Sequence, residues 1–145
     1  MTLDIPYGAI HKALRVLLTE EILERFNIKD VQEYEGKTIF SLEEKYLPPK
    51  IEGLVVESKG FYPKKTLQDF PVRGRPIYLK IKRRRWRDTE TKKEIPQPWD
   101  GVAGGTSYTK EFGDFLKELD RDGARGDQSN SQAFLRRNKE PRKTI

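Results

Sequence analysis

Residues 73–87 read RGRPIYLKIKRRRWR, with eight basic side chains and no acidic one. From Ile77 onward the side chains alternate, with Ile77, Leu79 and Ile81 on one face and Tyr78, Lys80 and Lys82 on the other. That pattern predicts a strand with an apolar face for a core and a basic face for water, and so an antiparallel sheet covered on one side. From Arg83 onward both faces are cationic. Like charges about 3.3 Å apart along a strand repel one another unless water, salt or an anionic partner screens them.

The charge is concentrated rather than spread. Residues 61–93 carry 12 basic and 3 acidic side chains, residues 1–60 carry 8 and 11, and residues 94–145 carry 9 of each, so the net charge of +6 comes from the central third. A block of this kind makes a local field that attracts phosphate backbones. Arginine outnumbers lysine in it, and a guanidinium fork grips phosphate oxygens in pairs or stacks on a base, as an ammonium does not. The candidate nucleic-acid contacts are therefore Arg73, Arg75, Lys80, Lys82, Arg83, Arg84, Arg85 and Arg87, with Tyr78 and Trp86 as stacking or wedging rings. A solvated edge strand that uses its charge against aggregation is the structural alternative.

The chain has 145 residues, of which 36% are charged and 34% hydrophobic, which predicts one modest domain and an unfolded remainder. It holds no cysteine and a single histidine, His11, so neither a disulfide framework nor a zinc site of sulfur and nitrogen ligands can be built within it. No cofactor is expected. No secretory leader and no apolar run of membrane-spanning length is recognisable, which predicts a soluble cytoplasmic protein without membrane contact.

Ile10, Ala13, Leu14, Leu17 and Leu18 recur at helical spacing, and Thr19 followed by Glu20 and Glu21 predicts the cap of a second short helix. The acids of that second helix make it a poor surface for DNA, so packing is its expected task. Glu35-Gly36 predicts a hairpin turn over residues 31–42. A short strand is expected at residues 54–56, closed by Gly60, and residues 61–72 read as a connecting segment. Thr109 is a candidate cap for a helix whose stripe of Phe112, Phe115, Leu116 and Leu119 would dock on the core or on a partner. Beyond Arg121 the residues are polar, and disorder is expected. The predicted fold class is α+β: a small antiparallel sheet with N-terminal helices and one C-terminal helix over residues 1–120, then a disordered tail over 121–145.

No catalytic constellation stands out. Asp69, Asp88 and Asp100 fall in turn-like or proline-flanked segments rather than at the strand ends of an α/β scaffold, where a two-metal site would need them. The pair Gly104-Gly105 beside Thr106 and Ser107 lacks the lysine of a phosphate-binding loop. No enzymatic activity is expected.

Several spaced blocks resemble the N-terminal region of ISAon-type bacterial insertion-sequence transposases. They are SKGF at residues 58–61, LQDFPVRGRPIYL at 67–79, RRRW at 83–86, GTSYTKEF at 105–112 and FLKE at 115–118, and the likeness covers about residues 10–120. A related group carries a zinc ribbon after a similar strand, where this chain has DTETKK at residues 88–93. The resemblance implies a non-catalytic accessory region that binds duplex DNA at the element's terminal repeats and partners a separate catalytic transposase subunit. Two alternatives stand beside it: a protein-interaction module docking that subunit through Phe112, Phe115 and Leu119, or a stand-alone RNA-binding protein.

Overall fold

The computed structural model describes residues 4–125, and it is an α+β fold of three helices and two sheets. The expected tail lies outside these residues from position 126 onward. Helices α1 (Tyr7–Leu17) and α2 (Glu20–Arg25) come first. Thr19 caps α2 as its sequence predicts: its Oγ1 accepts a hydrogen bond from the Ile22 amide at 3.2 Å, and Glu20 and Glu21 occupy the first turn, where the helix dipole favours them. Helix α1 buries none of its own residues, and Leu18 just beyond it is the one that does enter a core.

Strands β1 (Phe26–Tyr34) and β2 (Lys37–Glu44) follow, joined at Glu35-Gly36. Both turn residues have positive φ, 50° and 79°, the conformation of a two-residue hairpin turn whose twist matches its strands. Five further strands are β3 (Val56–Phe61), β4 (Lys65–Val72), β5 (Arg75–Lys82), β6 (Arg84–Asp88) and β7 (Glu94–Ile95), and α3 (Lys110–Arg125) closes the order. One sheet has the order β1-β2-β5-β4 and the other β3-β6-β7.

The structure corrects three expectations. The strand expected at residues 54–56 begins at Val56 and runs through Gly60, where the pairing with β6 slips between Ser58 and Phe61 as a bulge; Leu54 and Val55 stay outside and exposed. The segment expected as a connection is largely β4, with Leu67 fully buried. The basic stretch is not one strand: it breaks at Arg83, so that β5 belongs to the four-stranded sheet and β6 to the three-stranded one. The alternation inside β5 is as expected, with Ile77, Leu79 and Ile81 buried.

The described residues group into two compact units, one of residues 4–31, 40–64 and 81–97 and the other of 32–39, 65–80 and 98–125. Leu18, Phe26, Phe40, Leu42, Ile81 and Trp86 are the buried apolar residues of the first, and Leu67, Ile77, Leu79, Ala103, Phe112 and Leu116 those of the second. Helix α3 carries on past residue 120 to Arg125. Among the described residues no helix is long and apolar enough to cross a membrane.

Candidate nucleic-acid interface

The eight cations of residues 73–87 do not form a free row. Arg75 Nη1 lies 2.5 Å from Glu33 Oε1, and Lys82 Nζ lies 3.7 Å from Glu43 Oε1 and 4.4 Å from the centre of the Phe61 ring. Arg83 Nη2 donates to the Gln97 carbonyl at 2.6 Å and sits 3.7 Å from Glu44 Oε2. Arg84 donates twice to Glu44, from its amide to Oε1 at 2.8 Å and from Nε to the carbonyl at 3.0 Å, and its guanidinium lies against the rings of Tyr46 and Phe61. Arg85 donates from Nε and Nη2 to Glu94 Oε1 at 2.9 and 2.7 Å, and Arg87 Nε donates to Glu57 Oε1 at 2.9 Å. Arg73 is exposed in the β4–β5 turn, and Lys80 is half-buried on β5.

Five of the eight therefore face glutamates supplied from elsewhere in the chain, four of those acids coming from its acidic first 60 residues. The mutual repulsion foreseen in the sequence is relieved within the fold. Trp86 is corrected too: it is 3% exposed, edge-on to Tyr46 at 5.2 Å, and is a core residue rather than a wedge for bases.

Apart from Arg73 and the ion-paired Arg75, the accessible cations gather on the outer face of the three-stranded sheet in the first unit. On β6, Trp86 and Asp88 turn inward, so Arg85 and Arg87 turn outward. Opposite Arg87 stand Glu57 on β3 and Glu94 on β7. Lys92 reaches the same Glu57 Oε1 at 3.0 Å, and Lys59 is close enough to Glu94 to act on its charge. The Lys92 and Arg87 hydrogen bonds hold the Glu57 carboxyl below its usual range, and Arg85 does the same for Glu94. Tyr62 donates its hydroxyl to Glu94 at 3.2 Å, and burial together with that carboxylate pushes the phenol up. Four cations, Lys59, Arg85, Arg87 and Lys92, thus share two carboxylates. The face keeps a surplus of positive charge, and its arginines are about a third exposed.

Compared with known proteins, the chain matches no family model, no curated protein and no solved structure. The likeness to insertion-sequence transposases stands on the quoted sequence blocks alone.

The residues expected to meet a partner subunit are largely engaged in the second unit. Phe112 is fully buried, its ring 5.1 Å from Phe70 and edge-on to Tyr108 at 5.3 Å; the Phe115 ring lies 5.3 Å from Phe70 but Phe115 is exposed, and Leu119 is half-buried. The stripe on α3 docks on β4 of its own unit. Tyr78 is half-buried, with Lys37 Nζ 5.3 Å above its ring.

Two of the three acids weighed as metal ligands, Asp69 within β4 and Asp88 at the end of β6, stand on strands rather than in the turns expected, and both have local duties. Asp88 accepts from the Glu90 amide and the Thr91 hydroxyl, and Asp69 accepts from the Thr109 hydroxyl at 2.9 Å. Among the described residues no group of three His, Cys, Asp or Glu side chains is placed to hold a metal ion. Lys59, Tyr62 and Lys92, with their two glutamates, are the face residues that sequence reasoning passed over. Their signal is weak, because only strand pairing brings residues 57–62 and 92–94 to the arginines.

Proposed function

We propose that this chain is a non-catalytic DNA-binding module. The observation that carries the reading is the charge surplus on the outer face of β3-β6-β7, where, among the described residues, Lys59, Arg85, Arg87 and Lys92 share Glu57 and Glu94. An anionic backbone laid on that face gains the cations' unmatched charge, and the partly exposed guanidiniums can donate to phosphate oxygens from the nitrogens that Glu57 and Glu94 leave over. The interface is smaller than the full basic stretch, since Arg83 and Arg84 are occupied with Glu44 and the Gln97 carbonyl. The sequence likeness supports the finer reading: an accessory region of an insertion-sequence transposase, acting in the cytoplasm, that recognises element ends for a separate catalytic subunit.

Fluorescence anisotropy with a labelled duplex tests the reading. Replacing Arg85 and Arg87 together with alanine is expected to weaken duplex binding about a hundredfold or more, because each lost charged contact is worth about 1.5–3 kcal/mol and about 1.4 kcal/mol is tenfold. Duplex affinity that survives the double change returns this face to the role of an ion-paired sheet surface.

A further inference from the structure

The second unit holds a cleft that the DNA-binding face does not use. It has a volume of about 580 Å³ and is lined by Thr66 and Gln68 of β4, Tyr78 of β5, and the loop of Gly105, Thr106, Ser107 and Tyr108. The loop is fixed against the strand: the Gln68 amide donates to the Ser107 carbonyl at 2.8 Å, and the Thr109 amide returns a bond to the Gln68 carbonyl at 2.9 Å. Within the loop the Thr106 hydroxyl donates to the Ala103 carbonyl at 2.7 Å and accepts from the Tyr108 amide at 3.2 Å. Gly105, at φ 73°, supplies the left-handed residue that this tight turn requires.

The lining combines two phenol rings, three hydroxyls and one carboxamide, with no charged side chain. Rings provide stacking area, and the Thr66 and Ser107 hydroxyls can each donate to or accept from the edge of a heterocycle. Cations stand beside this neutral lining. Lys37 Nζ lies over the Tyr78 ring at 5.3 Å, and Lys80 follows Tyr78 by two positions on β5, on the same strand face. The carboxylate next in sequence to Gln68, that of Asp69, is engaged by Thr109. A neutral aromatic cleft with ammonium groups beside it suits a planar base attached to a phosphate. A free sugar would call for a carboxylate to bind its paired hydroxyls, and none lines the cleft.

We infer that this cleft takes one unpaired nucleotide of a nucleic-acid strand, its base against Tyr78, Tyr108 and Ser107 and its phosphate toward Lys37 and Lys80. The inference extends the nucleic-acid reading above to a second site with a different preference, for unpaired bases rather than for duplex.

Anisotropy on the full chain with a labelled single-stranded oligothymidylate, run beside a blunt duplex, tests it. Tyr78→Ala and Ser107→Trp are each expected to weaken oligothymidylate binding about tenfold, the scale of one lost base–aromatic stack, and to leave duplex binding within about twofold. Ser107→Trp fills the cleft from an exposed loop position, so its result stands even if Tyr78→Ala unfolds the chain. Oligothymidylate affinity unchanged by Ser107→Trp, or no oligothymidylate binding by the wild-type chain, overturns the inference. Loss of oligothymidylate binding in the variants of a chain that ignores duplex upholds the cleft and overturns the duplex face.

Discussion

Glu44 decides which arginines this protein can offer to a partner. It is 5% exposed, and it meets Arg25 Nε at 2.7 Å, the Arg84 amide at 2.8 Å and Arg83 Nη2 at 3.7 Å. Removing one member of a buried ion pair leaves an uncompensated charge, which costs about 3–5 kcal/mol. The Arg25 side chain is 30% exposed and recovers some hydration, so Glu44→Ala is expected at the low end, about 3 kcal/mol, read as a lower midpoint in urea unfolding. Asp69 has the opposite sign. Burial raises its carboxyl above the usual 3.8, against weaker opposing bonds from the Phe70 amide and the Thr109 hydroxyl, so the ionised form at neutral pH works against folding. Asp69→Asn keeps an oxygen acceptor for Thr109 without the charge, and is expected to raise Tm at pH 7. Because the folded carboxyl takes up its proton before the unfolded one, that gain should shrink as pH falls through the raised value toward 3.8. A Tm difference constant across that range would show that Asp69 is not the group responsible.

The elements that could be read from the sequence are those whose cause is local. Thr19 with Glu20 and Glu21 announces α2, Glu35-Gly36 announces the β1–β2 turn, and Ile77, Leu79 and Ile81 announce β5, each within a few residues of its own effect. Strand β4 was hidden by Pro71, which argues against a central strand; its place at the end of the order β1-β2-β5-β4 is an edge, where a missing amide is tolerated. The pairing of the arginines could not be read at all, since Glu57 is 30 residues from Arg87 and Glu44 is 40 from Arg84. The seat of α3 was equally illegible, because it depends on how closely a helix approaches a loop. A Cβ on Gly113 would come within 2.3 Å of the Ala103 Cβ. In an exposed helix, glycine to alanine gains up to about 1 kcal/mol, but overpacking a full site costs about 1–3 kcal/mol. The second effect should win, so Gly113→Ala is expected to lower Tm. Adding Ala103→Gly removes the opposing methyl and should restore most of the loss, a coupling measurable by a double-mutant cycle.

At the scale of the whole molecule, the net charge of +6 says less than the way the charges are matched. An excess of eight free cations in residues 73–87 and a surplus confined to one sheet face both attract DNA, but they release different numbers of counterions. Each phosphate neutralised on duplex DNA contributes about −0.9 to the slope of log affinity against log salt. Contact by all eight cations predicts a slope of about −7, and contact by the face cations Lys59, Arg85, Arg87 and Lys92 alone predicts about −3.6. The ion pairs of Arg75, Lys82 and Arg83 favour a value no steeper than the smaller one, since a cation that must give up a glutamate to reach a phosphate gains less from the exchange, and Glu57 and Glu94 on the face itself make the slope shallower still. Glu57→Gln probes the same balance from the other side: it leaves Arg87 and Lys92 without their shared carboxylate and adds one net positive charge to the face. Duplex affinity should then rise several-fold at low salt, and the slope should steepen by up to about one. If the affinity of Glu57→Gln instead falls, the carboxylate is needed to aim Arg87 and Lys92 at the phosphates, and orientation outweighs the added charge. If the wild-type slope is near zero, electrostatic attraction does not bring DNA to this protein.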